Sequence, residues 1–165
     1  MSPAYRDDVV FVNPGEIYFG STAKQIKTIL GSCVAILLWH PEKKLTGLCH
    51  YVMPEIHKEA DNSVPGRYAK GAIELLAREI KNHRTVIEDY DVSIYGGGCM
   101  FCNKYLQYLD IGKKNIAIAR QLLAQLGVIP VQQKVGGRCY RTITVDGVTG
   151  KVKLFESSTE PKQVS

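Results

Sequence analysis

The sequence contains no run of about 18 apolar residues, the length a membrane-spanning helix needs. It also lacks a charge run. Its 21 Lys and Arg against 16 Asp and Glu leave a net charge of +5, but the cations are dispersed and double only at Lys43-Lys44 and Lys113-Lys114. A nucleic-acid surface usually gathers its basic residues into a denser stripe, so nucleic acid is not an expected partner, nor is membrane insertion. Internal repeats, low-complexity tracts and long Gly/Pro/Ser linkers are missing too, which excludes collagen-like, coiled-coil and disordered architectures. The opening residues, MSPAYRDDVVFVNPGE, carry acids early and no long apolar stretch, unlike a secretion signal. Cysteine is sparse and odd in number: Cys33, Cys49, Cys99, Cys102 and Cys139. These features imply a cytoplasmic protein with free thiols.

What is present suits a globular fold. At 165 residues, with 45% apolar and 22% charged side chains, the chain reads as a single domain. A chain of this size buries about two-thirds of its unfolded surface and needs neither metal nor disulfide to hold a core. The expected ordered core is 8–156, with a flexible polar tail over 157–165. Strands are expected near 8–12, 25–30, 33–39, 45–53, 92–95, 128–134, 139–145 and 150–155. The run Cys33-Val-Ala-Ile-Leu-Leu-Trp39 is apolar throughout, as in a strand covered on both faces. Helices are expected over 67–83, with Ala69, Ala72, Ile73, Leu76, Ala77 and Ile80 on one stripe, and over 113–126, with Gly127 as C-terminal cap. The sum is α/β: a strand-rich sandwich with two helices packed on the sheets.

Cys33 opens one strand of an apparent hairpin and His50 lies near the end of the other. If Trp39 pairs with Lys44 across a four-residue loop, 40–43, Cys33 falls directly opposite His50. With a five-residue loop Tyr51 faces Cys33 instead, and His50 points to the other side. An imidazolium beside Cys33 would raise its thiolate fraction, and a thiolate attacks carbonyl carbon to form a thioester. Gly31 and Ser32, just before the cysteine, offer close backbone approach and amides for an oxyanion; Gly97 and Gly98, in the run Gly96-Gly97-Gly98, offer similar approach. Other readings stay open. Cys33 and His50 could be ordinary core residues. Cys33, Cys49, His50 and His57 could converge on a metal, although their spacing matches no common zinc pattern. Cys99-Met-Phe-Cys102 has redox spacing but follows a glycine run. Arg67 and Tyr68 line the site or only start the helix. Arg138 and Arg141 suit either an acidic helical partner or solvent.

The segment Leu30-Gly-Ser-Cys-Val-Ala35, followed by Gly47-Leu-Cys-His50-Tyr-Val-Met-Pro54, resembles the signature of the CheD family of chemoreceptor glutamine deamidases. The resemblance continues through Pro65-Gly-Arg-Tyr-Ala69, Gly97-Gly-Cys-Met-Phe101, Asp110-Ile-Gly-Lys-Lys-Asn115 and Gly136-Gly-Arg138, and so covers most of 13–155 in order. It implies the Cys–His fold of bacterial deamidating toxins and the activity of a cofactor-free protein-glutamine glutaminase. Cys33 would be the nucleophile and His50 the base. Thr28 would take the place of a family threonine that orients the histidine, although strict alternation along one strand would turn Thr28 away from Cys33. The implied partners are the cytoplasmic helices of methyl-accepting chemoreceptors and, for some relatives, a CheC-type phosphatase. A regulatory binding module without turnover is the alternative.

Overall fold

The computed structural model describes residues 8–55, 64–100 and 110–159. Among them the chain runs β1 (Val9–Phe11), β2 (Ile17–Gly20), β3 (Gln25–Leu30), β4 (Val34–His40), β5 (Leu45–Cys49), α1 (Ala69–Asn82), β6 (Asp91–Gly96), α2 (Ile111–Gln125), β7 (Gln132–Val135), β8 (Cys139–Asp146) and β9 (Val152–Ser158). One sheet has the order β1-β3-β8-β9 and the other β2-β5-β4-β6-β7.

The side-chain pattern sets the layering. In β3, Ile26, Thr28 and Leu30 are buried and alternate with less buried residues, and β8 buries Cys139, Arg141, Ile143 and Val145 in the same way. Each strand therefore has one covered face. By contrast, every residue of β4 and β5 is buried. Val34, Ile36 and Leu38 of β4, with Leu45, Cys49 and Tyr51, pack against Ala72, Leu76 and Ile80 of α1 and Ala119 and Leu123 of α2. Ala35, Leu37, Leu48 and Tyr95 turn the other way, onto Ile26, Leu30, Ile143 and Val145. The layers are thus four-stranded sheet, five-stranded sheet, helices. Fully burying a side chain such as Ile36 contributes about 1.5–3 kcal/mol, so β4, covered on both sides, is the axis of the core.

The helices form where the apolar spacing requires them. α1 buries Ala69, Ala72, Leu76 and Ile80. It begins two residues later than expected, because Pro65–Arg67 form a separate 3-10 turn. The Asp110 carboxylate caps α2 by accepting from the Lys113 amide at 3.0 Å. Strand β2 has no counterpart in the sequence reading. Its four residues are all half-buried and show no alternation to reveal it. Strand β9 continues to Ser158, so two residues expected in the tail belong to the sheet.

The β4–β5 register differs from both versions read from the sequence. His40 pairs with Leu45 and Trp39 with Thr46, which makes the loop 41–44, with Lys44 at φ 54°. Relative to the expected four-residue loop, the strands slip by two positions. An even slip leaves each side chain on its own face.

Between β3 and β4 the chain crosses from one sheet to the other through 31–33. Gly97 donates to the Cys33 carbonyl at 2.8 Å and Gly98 to the Gly31 carbonyl at 2.9 Å. Gly96 has φ 106°, and a Cβ there would collide with the Cys33 carbonyl oxygen. Gly96→Ala should therefore lower the unfolding free energy in urea by about 1–3 kcal/mol, the range for an enforced strained backbone. Gly127→Ala is the control, since a Cβ at that positive-φ position meets no atom within 4 Å. It should cost less, and equal losses would show that the contact with Cys33 is unimportant.

Candidate active site

The crossover delivers Cys33 to the space between the sheets, where it packs, partly exposed, on the inter-sheet core. Leu37 lies opposite Leu48 and Val34 opposite Tyr51. Continuing that register places Ala35 opposite His50 and Val52 opposite Cys33. Cys33 and His50 are therefore diagonal neighbours on one face, not a direct pair. Such residues have Cα atoms about 7–8 Å apart and Cβ atoms somewhat closer, within the reach of an imidazole. His50 is 2% exposed. Its main chain is held on both sides, its amide donating to the Glu16 carbonyl at 3.3 Å and its carbonyl accepting from the Gly15 amide at 2.8 Å.

Thr28 reaches His50 from the other sheet. Its hydroxyl lies 2.7 Å from His50 Nδ1 and donates to the Val12 carbonyl at 2.6 Å. Strict alternation does not apply between Thr28 and Cys33, because they belong to different sheets: β3 and β4 face each other, and the inward side of each meets the other. The hydrogen bonds also fix the tautomer. A carbonyl only accepts, so the single hydroxyl proton goes to Val12, and the Thr28 oxygen must accept from His50 Nδ1–H. The Nε2 lone pair is then free, and Nε2 is buried without a hydrogen-bond partner among the described residues.

Burial holds the imidazole pKa below its ordinary value, although the Val12 carbonyl opposes this. Burial likewise pushes the Cys33 thiol up, against smaller lowering effects from its own amide and the Arg67 guanidinium. Both shifts favour the uncharged forms, a thiol and an imidazole. The arrangement suits a base that takes the thiol proton as sulfur attacks, not a nucleophile ionised in advance.

The other sequence candidates fall into place around this pair. Gly31 sits where a Cβ would lie 3.2 Å from both Met100 Sδ and Tyr140 Cε1. Ser32 borders a cavity of about 100 Å³, with Gly98, Met100, Asp110 and Gly112 on its walls. The Gly97 and Gly98 amides are engaged by the crossover carbonyls, so these residues brace the loop that carries Cys33. Cys49 points into the helix-side core, away from His50, and its thiol is pushed up to about 12 by burial. No group of three metal-ligating side chains exists among the described residues, and His57 lies outside them. Cys99 is disulfide-bonded, contrary to the expectation that every thiol is free; Cys102 lies outside the described residues. Among the described cysteines the free thiols are Cys33, Cys49 and Cys139, and of these only Cys33 is not buried.

Arg67 accepts the Val52 and Met53 amides at its carbonyl, at 2.8 and 3.0 Å, so it joins the site and also precedes the helix. Arg141 is neither solvated nor free for a partner. It is 5% exposed, and its guanidinium donates to the Gly96 carbonyl at 3.2 Å and the Gly136 carbonyl at 2.6 Å. Asn115 closes the motif Asp110–Asn115, which assigns it no role. Its side-chain amide donates to the Ser32 carbonyl at 3.0 Å and the Val52 carbonyl at 2.9 Å. An isolated Asn inside an amphipathic helix gives no sign of such a contact, and only its position on the buried stripe with Ile116 and Ala119 could have suggested it.

The buried imidazole couples stability to pH. With its pKa lowered on folding, His50 is protonated more readily in the unfolded chain, so acid favours unfolding. Its contribution is full above pH 6.5, the ordinary histidine value, and is lost as the pH falls through the folded-state value. The His50 ring should titrate below 6.5 by NMR, and urea stability should drop more steeply from pH 7 to 5 in the wild type than in His50→Gln. Parallel pH profiles for the two proteins would contradict this.

Comparison with known proteins identifies the family of the chain. A family model described as CheD chemotactic sensory transduction matches residues 52–156. A Dechloromonas aromatica protein named probable chemoreceptor glutamine deamidase CheD 3 is 37% identical over 145 residues, covering 88% of this chain and 85% of its own. A Chromobacterium violaceum protein, probable chemoreceptor glutamine deamidase CheD 1, is 34% identical over 91% of this chain and 78% of its own. A Methanococcus vannielii protein named probable chemoreceptor glutamine deamidase CheD is 35% identical over 88% of this chain and 94% of its own. The chain belongs to the CheD family.

Proposed function

We propose that this protein hydrolyses glutamine side chains of chemoreceptors to glutamate, with Cys33 as nucleophile, His50 as base and acid, and Thr28 as the residue that orients His50. The observation that carries the reading is the hydrogen bond between the Thr28 hydroxyl and His50 Nδ1, which leaves Nε2 unprotonated on the face shared with Cys33. The names of the relatives support the substrate, and no described helix is long and apolar enough to cross a membrane. The expected substrate segments are receptor helices exposed to the cytoplasm, and the reaction needs no cofactor.

Cys33 Sγ attacks the side-chain carbonyl carbon of glutamine, and its proton passes to His50 Nε2. The C–S bond forms and the carbonyl electron pair moves onto oxygen. The Ser32 and Cys33 amides donate to no backbone carbonyl among the described residues, so they are the donors available to that oxyanion. Collapse breaks the C–N bond, and His50 returns the proton to the leaving ammonia. Water then attacks the thioester, with His50 taking one of its protons. The C–S bond breaks, sulfur regains a proton, and the product is glutamate.

Substitutions at three positions test the assignment on a receptor cytoplasmic fragment, with ammonia release and the small mass gain of amide-to-acid conversion as readouts. Cys33→Ala should abolish turnover, and full activity in this variant would remove the nucleophile. His50→Ala should lower kcat by about 10²–10⁴-fold, the usual contribution of a general base. Thr28→Val should lower kcat by about 10–100-fold, as loss of an orienting partner commonly does, while Thr28→Ser should stay near wild type. Indifference to Thr28→Val would strike the threonine from the site. The acid limb of kcat/KM should lie below pH 6.5, because the base that must stay neutral has a lowered pKa.

A further inference from the structure

We infer that Asn115 is a positioning residue that aims the Cys33 amide at the oxyanion of the tetrahedral intermediate, an inference that rests on Cys33 being the nucleophile. Asn115 lies in the second turn of α2, which packs on β4 and β6 of the five-stranded sheet. Its Nδ2 donates to the Ser32 carbonyl at 3.0 Å and to the Val52 carbonyl at 2.9 Å. Both partners only accept, which fixes the orientation of the side-chain amide. The Ser32 carbonyl and the Cys33 N–H belong to one planar trans peptide. Anchoring the oxygen on the helix side therefore turns the N–H the opposite way. Val52 is the residue across from Cys33 in the strand register, so the second hydrogen bond fixes the strand spacing at the nucleophile. The Asn115 carbonyl in turn accepts from the Tyr51 hydroxyl at 2.5 Å, next to His50.

Asn115 is wholly buried, and its Oδ1 has no hydrogen-bond partner among the described residues. An apolar side chain would fill the position without an unpaired acceptor, so packing alone does not favour an amide here. The two donors are what the position requires. As the C–S bond forms, the glutamine carbonyl electron pair moves onto oxygen and the Cys33 N–H donates to it. A tilted Ser32–Cys33 peptide weakens a hydrogen bond that gains its strength in the transition state. Loss of the clamp should therefore appear in kcat and not in KM.

The test uses the full chain with a glutamine-containing receptor fragment. Asn115→Leu and Asn115→Asp each remove both donors at similar volume. In a folded variant kcat should fall by about 10–100-fold with KM within about threefold, while iodoacetamide labels Cys33 at the wild-type rate, because thiol and base are untouched. A folded variant with kcat within about threefold of wild type would overturn the inference, as would alkylation falling in step with kcat. If neither variant folds, the wild type decides. A peptide aldehyde with its carbonyl at the position of the glutamine amide should add to Cys33, forming an S–C bond and a hemithioacetal oxygen. The Cys33 amide proton should then shift downfield by NMR. An adduct on Cys33 with an unshifted amide sinks the role of Asn115 alone, whereas no adduct on Cys33 sinks the nucleophile with it.

Discussion

The site depends on one hydroxyl between two sheets. Thr28 belongs to the four-stranded sheet and His50 to the segment that extends β5 in the other, and they are joined by the hydrogen bond at 2.7 Å. The Val12 carbonyl, supplied by the segment after β1, makes this link directional, because it takes the hydroxyl proton and obliges the oxygen to accept from the imidazole. The sheet packing thus chooses a tautomer. If the sheets moved apart or slid, Thr28 would lose His50 while keeping Val12, which is tied to β3 through its amide on the Lys27 carbonyl at 2.9 Å. The apolar layer of Ile26, Leu30, Leu37, Leu48 and Ile143 sets that spacing, so the chemistry of the imidazole follows from ordinary core packing.

The same core limits the chemistry. Burial lowers the pKa of the His50 imidazole and raises that of the Cys33 thiol, so it favours the uncharged form of both. An unpartnered Nε2 in a buried place is unfavourable by about 1–3 kcal/mol, a real fraction of the about 5–15 kcal/mol that keeps a domain folded. A residue chosen for stability alone would not leave it so. Among the described residues unmet hydrogen-bonding capacity recurs at the Asn115 Oδ1 and the Arg141 Nε, whose side chains hold the Ser32 and Gly96 carbonyls beside Cys33, and also at the Thr46 Oγ1 in β5.

Much of this was legible in the sequence, for identifiable reasons. The continuous apolar run 34–39 announced a strand covered on both faces, and the helical stripes of α1 and α2 announced a helix layer. The crossing of the chain between sheets at 31–33 was not legible, because local pattern reports which residues are buried and not which sheet a strand joins. For that reason Thr28 looked misplaced: parity was counted along a path that changes sheets. The hairpin register was misjudged because Lys44, in a left-handed conformation, belongs to the loop. The error left His50 on the side of Cys33 because the slip was even. Asn115 and Arg141 stayed hidden, since their partners are main-chain carbonyls distant in sequence, and a side chain's identity does not record which carbonyl it meets.

The crossover explains how Cys33 is held at this point. Backbone between two packed sheets cannot continue either hydrogen-bond ladder, so its polar groups need partners from elsewhere. The Gly31 and Cys33 carbonyls take the Gly98 and Gly97 amides, and the Ser32 carbonyl takes the Asn115 side chain. With three successive carbonyls anchored, the peptide planes of 31–33 have little freedom left. The Ser32 and Cys33 amides, trans to the Gly31 and Ser32 carbonyls, donate to no backbone carbonyl among the described residues, while the Val34 amide joins the sheet through the Tyr51 carbonyl at 3.1 Å. A cysteine at the end of such a segment is held as firmly as one inside a strand, yet keeps one side open to solvent. Within a regular strand its amide would be bonded to a neighbour, and within a mobile loop its sulfur would lose its bearing on His50. The crossover meets both requirements with the same hydrogen bonds that satisfy its own backbone.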